Sequence, residues 1–235
     1  MPLVLINRAR LIAVLRILNR HSTDIQRFYN NHLQIQAPST GLKGFRETFR
    51  ASVNERRGAS HNRGREAIEH FEAIAQHLYS KVIELEHESP ELAYKHLFEE
   101  LVQIPNINQK IAGMFCKFIV VYKGYWPSML PYLYVPLDRV VLKMLGETLA
   151  IYDGLWTQSP SIIAANGNLY IHDGREACAN YQKFINFQHN LLEVSNRAGV
   201  TRILIDELWF IGTAFCKDYP LCGQCWFNRV CPSRL

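Results

Sequence analysis

The feature that most constrains this chain is its last stretch, where Cys216, Cys222, Cys225 and Cys231 follow the spacing C-x5-C-x2-C-x5-C. Four thiols packed into so short a stretch are not an accident of composition. Four thiolates satisfy a tetrahedral Zn²⁺ or anchor a [4Fe–4S] cluster. A structural zinc site more often uses two C-x2-C knuckles joined by a long spacer. Here a single C-x2-C is flanked by two five-residue arms, a loop suited to wrapping a bulkier object. The spacing therefore favours a [4Fe–4S] cluster, with zinc the alternative and disulfides third. Thiolate ligands without a secretory signal imply the cytoplasm, nucleoid-associated, or another reducing intracellular compartment.

The chain has 235 residues, 48% hydrophobic and 20% charged. That is enough for one large domain or two small lobes with real cores, and the composition is not that of a disordered chain. No uninterrupted apolar run reaches eighteen residues, so no membrane span is expected. Near the N-terminus Leu5, Leu11, Ile12, Leu15 and Leu18 fall close to one helical face, with Arg8, Arg10, Arg16 and Arg20 mostly elsewhere. This reads as an amphipathic helix rather than a transit peptide. The formal net charge is +5, and the stretch from Lys43 to Arg65 concentrates it. Lys43, Arg46, Arg50, Arg56, Arg57, Arg63 and Arg65 stand there against Glu47 and Glu55. Such a patch suits a phosphate backbone; the plainer alternative is a solvated helix face.

Helical periodicity runs through most of the chain, so the expected class is mostly α. Expected helices cover 44–53, 63–86, a segment opened by Ser89-Pro90-Glu91, and 177–198 and 201–215. Between Leu101 and Cys116 a helix runs into Ile104-Pro105, turns over Asn106-Ile107-Asn108, and restarts as an apolar helix. Asn tolerates positive φ well, so the two Asn mark the turn. The start of the second helix would then offer free N–H groups to a DNA phosphate. Residues 122–134 are aromatic and Pro-broken, a loop or short turns. Asp138 stands at or near the N-cap of a helix reaching Gly146. Asn166-Gly167 between apolar runs suggests a small β-ribbon over 162–171.

A hairpin ending in Lys110, a helix opened by Asp138 and a terminal cysteine loop, in that order, together resemble the helix-hairpin-helix DNA glycosylases of the endonuclease III superfamily. The family hairpin runs L-P-G-V-G-x-K-T-A, and Ile104-Pro-Asn-Ile-Asn-Gln-Lys110-Ile-Ala112 follows it position by position. The family signature V-D-T-H-x-x-R-V is matched by Leu137-Asp138 with Lys143 at the place of the Arg. The family's C-x6-C-x2-C-x5-C loop is here one residue shorter in its first arm. Asn54 is a weak counterpart of the Gln that fills the space left by an extruded base. The resemblance spans about Gly44 to Cys231. Both hairpin glycines are replaced by Asn, and the T-H after the aspartate is absent, so this resembles a divergent branch.

The resemblance implies a two-lobed fold. Residues 22–134 would form the hairpin lobe, and 1–21 with 135–235 the cluster-bearing lobe. It implies a DNA glycosylase, with AP-lyase activity, that flips a damaged or modified base into an interlobe cleft for base excision repair. Lys110 and Asp138 would be catalytic, the plainer alternatives being a phosphate-facing lysine and an N-cap. Asn54, Arg56, Arg57, Asn106, Asn108 and Lys143 would contact double-stranded DNA, while Tyr125, Trp126 and Tyr134 would line the base pocket. The cysteine loop would turn Lys217, Arg229 and Arg234 toward the backbone. A monomer is expected. The rival reading is a non-catalytic iron–sulfur helix-hairpin-helix DNA-binding protein. His172-Asp173 reads as a loop pair, and Cys116 and Cys178 as buried small hydrophobes.

Overall fold

The computed structural model describes residues 7–25, 27, 40–57, 62–137, 139–151, 174–216 and 221–233, with the side chains of 54–57, 62–63, 139 and 174–183 outside that description. The described residues are mostly helical, and none of them is in a β-strand. The suggested ribbon at 162–171, Asp138 and His172-Asp173 lie outside the described residues. No helix among the described residues is long and apolar enough to cross a membrane. The chain divides into two compact units, Asn30–Pro136 and the pair of segments Met1–Tyr29 and Leu137–Leu235.

In the second of these, α1 spans Arg8–Arg20 and buries Leu11, Val14, Leu15 and Leu18. Asn7 caps it, its side chain accepting from the Arg10 amide at 3.0 Å. After Leu137 comes a short helix, α6 (Arg139–Lys143), that widens into a π turn over Met144–Thr148. Then follow α7 (Gly174–Ala198), a 3₁₀ turn over Arg202–Glu207 and α8 (Leu208–Ala214). α1 packs on α7, and α8 packs on α6. That second contact is close because Gly212 has no side chain. A Cβ there would lie 2.5 Å from Val140 Cγ1.

The unit Asn30–Pro136 is built from α2 (Gly41–Arg57), α3 (Asn62–Glu88), α4 (Pro90–Gln103) and α5 (Gln109–Lys117). α2 begins earlier and ends later than the periodicity of 44–53 predicts. Gly41 supplies a left-handed entry at φ 64°, and its carbonyl accepts from the Tyr125 hydroxyl at 2.9 Å. The α3–α4 connection is Ser89 alone, whose hydroxyl caps the Leu92 amide ahead of the helix-starting Pro90. The interior is aromatic. Phe49 stacks on Phe71 with centroids 3.7 Å apart, and Phe115 meets Phe45 edge-on at 5.3 Å. Residues 118–132 are short turns, a π turn over Phe118–Tyr122 and a 3₁₀ turn over Pro127–Tyr132.

Candidate metal centre and helix hairpin

The described part of the cysteine loop, 221–233, is a succession of tight turns. The Leu221 amide returns to the Phe215 carbonyl at 2.9 Å, the Cys225 amide to Leu221 at 3.0 Å, and the Cys231 amide to Phe227 at 2.8 Å. Apolar anchors fix the loop to its unit. Phe227 is fully buried, and Trp226 sits between Phe210, Phe215 and His21. The stack of Trp226 on His21 is tight, with centroids at 4.0 Å and planes 9° apart. It joins the C-terminal end of α1 to the loop.

A polar clasp completes the attachment. Widening into a π turn leaves α6 with carbonyls that no helical amide reaches, and such groups need other partners. Each is taken up. Ser233 Oγ donates to Glu147 O at 3.4 Å and the Cys231 thiol to Thr148 O at 3.5 Å. Arg10 Nη1 donates to Leu149 O and Ala150 O, both at 3.0 Å, and the Asn7 amide to Ile151 O at 2.6 Å. The two ends of the described chain therefore meet on one run of five carbonyls. Nothing in the sequence pattern signals this; the partners lie more than a hundred residues from Arg10.

Within the loop the four thiols interact. Cys216 donates a hydrogen bond to Cys225, and this lowers Cys225 to about 7 while pushing Cys216 well above the ordinary thiol range. The Phe227 amide also donates to Cys225 Sγ at 3.4 Å, favouring its thiolate. Burial raises Cys231; a hydrogen bond from the Ser233 amide opposes this, the neighbouring thiols Cys225 and Cys222 add to it, and the charge of Arg10 opposes it. In type and number these donors fit a four-thiolate centre. Among the described residues, no set of three or more His, Cys, Asp or Glu side chains is arranged to hold a single metal ion.

The hairpin lies in the other unit. Asn106 has φ 67°, the left-handed conformation that a glycine would otherwise supply, and its Nδ2 donates to Glu66 on α3 at 2.7 Å. Asn108 is the N-cap of α5, its Oδ1 accepting from the Ile111 amide at 3.0 Å. This corrects the expectation of a fully open row of amides. The second Asn turns its own side chain onto the helix start. Lys110, in the first turn of α5, is half-buried and engaged in further interactions.

The remaining expected site residues are dispersed. Lys143 is exposed at the end of α6. Asn54, Arg56 and Arg57 lie in the last turns of α2, their side chains outside the description. Trp126 is buried, packed on Phe45, Tyr79 and Tyr125, and Tyr134 packs edge-on against Tyr94 and Phe98. Burial, then Tyr79 and Glu47, raise the Tyr125 hydroxyl above its ordinary range. Cys116 is fully buried and its thiol is pushed far up by desolvation, as an inert core thiol requires.

In the basic stretch of 43–65 the described basic side chains have acidic partners. Arg46 and Arg50 both reach Glu72 on α3, at 3.2 and 2.9 Å, while Lys43 faces Glu47 and Arg65 faces Glu69. Two of these acids, Glu69 and Glu72, stand outside the window, while the side chains of Arg56, Arg57 and Arg63 lie outside the description. Comparison of the chain with protein-family models, with curated proteins and with solved structures gives no match.

Proposed function

We propose that this protein is a DNA N-glycosylase with associated AP-lyase activity, acting on a damaged or modified base in double-stranded DNA. The observation that carries the reading is the hairpin. Asn106 turns with glycine-like backbone geometry, and two residues after the Asn108 cap the helix presents Lys110 in its first turn. The terminal loop of four interacting thiols supports it independently. Cys216, Cys222, Cys225 and Cys231 would hold a [4Fe–4S] cluster, or zinc in the alternative, which supplies cross-linking that keeps the loop folded.

The chemistry belongs to the chain's own groups. The target base leaves the stack, at a cost of a few kcal/mol that is least for damaged or mispaired bases. The C1′–N bond then breaks, the base departing with the electron pair and taking up a proton. The neutral Nζ of Lys110 forms a new bond to C1′, and opening of the sugar ring gives a protonated imine. Water takes the C2′ proton, the C2′–C3′ double bond forms as the C3′–O bond breaks, the 3′ strand leaves with that oxygen on its phosphate, and water then hydrolyses the imine to restore the lysine. Ionised Asp138 stabilises the positive charge that grows on the sugar as the base leaves.

One observation favours the rival reading of a non-catalytic DNA-binding protein. The Asn108 side chain occupies an amide that would otherwise position the backbone for reaction. A single experiment separates the two. Lesion-bearing and abasic duplexes are incubated with the protein and borohydride. Base release and a covalent adduct abolished by Lys110→Ala are expected. Binding with neither release nor adduct on any duplex establishes the rival.

A further inference from the structure

A groove of about 410 Å³ opens between α1 and the cysteine loop, entirely within one unit. Its rim carries Arg16 and Arg20 from α1 and Arg229 from the loop, and all three are exposed. None of these guanidinium groups has a hydrogen-bond or ion-pair partner among the described residues. The Asp24 carboxylate, just beyond α1, lies 3.5 Å from His21 Nδ1 and 3.9 Å from Arg27. The rest of the lining is largely apolar, with Ala13, Ile17, Val230 and Trp226, whose ring stacks on His21. Three unpaired arginines beside a largely apolar lining match a ligand with phosphates on one side and carbon-rich rings on the other.

Guanidinium forks bind phosphate oxygens in pairs, with more direction than an ammonium offers. Arg16 and Arg20 are four residues apart, so their Cα atoms stand about 6 Å apart along the axis at 1.5 Å per residue. That is closer to the separation of consecutive phosphodiesters in a strand than to that of the bridged phosphates of a nucleoside polyphosphate. We propose that this groove binds the backbone of a polynucleotide strand. Arg16 and Arg20 take successive phosphates, Arg229 reaches the same strand from the opposite wall, and the sugars lie against the apolar lining. The assignment rests on the same partner as the proposed function, DNA, and on none of the residues assigned to base removal.

The test is fluorescence anisotropy with a labelled, undamaged duplex over a salt series. It compares wild type, the double variant Arg16→Gln/Arg20→Gln, and a control, Arg46→Gln/Arg50→Gln, whose arginines already face Glu72. The groove variant is expected to weaken binding about tenfold or more at low salt and to flatten the salt slope by about two, close to one per lost phosphate contact. The control should change both far less. Unchanged melting of the groove variant, whose substituted side chains are exposed, shows that its fold is intact. Groove and control variants that bind like wild type overturn the assignment. So does a nucleoside triphosphate that binds through Arg16 and Arg20 while strand affinity ignores them. Arginine-dependent duplex binding without base release from any lesion leaves the groove standing and removes the glycosylase. Base release with arginine-independent binding does the reverse.

Discussion

The two units hold themselves together by different means. Asn30–Pro136 is organised around interlocking rings, with Phe45, Phe49, Phe71 and Phe115 all fully buried. Large aromatic side chains bury much area per residue, and that burial suffices without any covalent or metal link. The other unit is stitched. Its last stretch, 221–233, is turns rather than helix, and it is held by Trp226, Phe227, a clasp of polar contacts to residues 147–151 and the thiols. Tight turns bury little apolar surface, so a segment of this kind depends on cross-links. The difference teaches where a bound centre would matter, and where it would not.

The largest effect expected to test this contrast comes from the thiols. If the loop holds the proposed centre, Cys225→Ser or chelation should cost several kcal/mol, a substantial fraction of the roughly 10 kcal/mol a structural metal contributes. Hydrogen exchange should show the loss confined to α1, α8 and the loop, with α2–α5 keeping wild-type protection. Uniform deprotection of both units would break the comparison. Phe71→Ala should cost about 3–5 kcal/mol by opening a cavity in the aromatic stack. Its readout is alkylation of Cys116, which lies in that core and is closed to reagents until the unit opens. Because burial raises the Cys116 thiol above 9.0, the stability it contributes is complete below that pH and declines as pH rises above it. Alkaline conditions should therefore speed this labelling beyond the effect of pH on free thiols.

Smaller changes sharpen the comparison. Arg10→Ala removes two hydrogen bonds to Leu149 and Ala150 and leaves their carbonyls part-buried, a loss of about 1.5–3 kcal/mol. Thermal melting should show it in the stitched unit. Gly212→Ala sets an overpacking cost of about 1–3 kcal/mol against a gain of up to about 1 from helix propensity. A net loss of about 1 kcal/mol is expected by denaturant titration, because the intruding Cβ meets the branched side chain of Val140. A neutral result would show that α6 and α8 slide apart freely.

Helix positions were legible where local chemistry sets them. Ser89-Pro90 starts α4 because a hydroxyl caps an orphan amide and proline already has helical φ. The turn between α4 and α5 was marked by the two Asn, and Asn106 does adopt positive φ. The fate of Asn108 was not legible, because a side chain that reaches forward to a phosphate and one that folds onto its own helix are the same residue. The acidic neighbours of the basic stretch were not legible for a related cause. A window of sequence counts Arg46 and Arg50 but not Glu72, which only the packing of α3 on α2 brings to them.

By itself the sequence determined a mostly helical chain, the places where its helices break, and a terminal set of four closely spaced thiols. These follow from short-range rules: capping, periodicity and spacing act within a few residues. Tertiary structure alone decided that Arg10 closes over carbonyls at 149 and 150, that His21 stacks on Trp226, and that Arg16, Arg20 and Arg229 rim one groove. Those contacts join residues more than a hundred positions apart, and no local preference selects such partners until burial of the helix faces has brought them together.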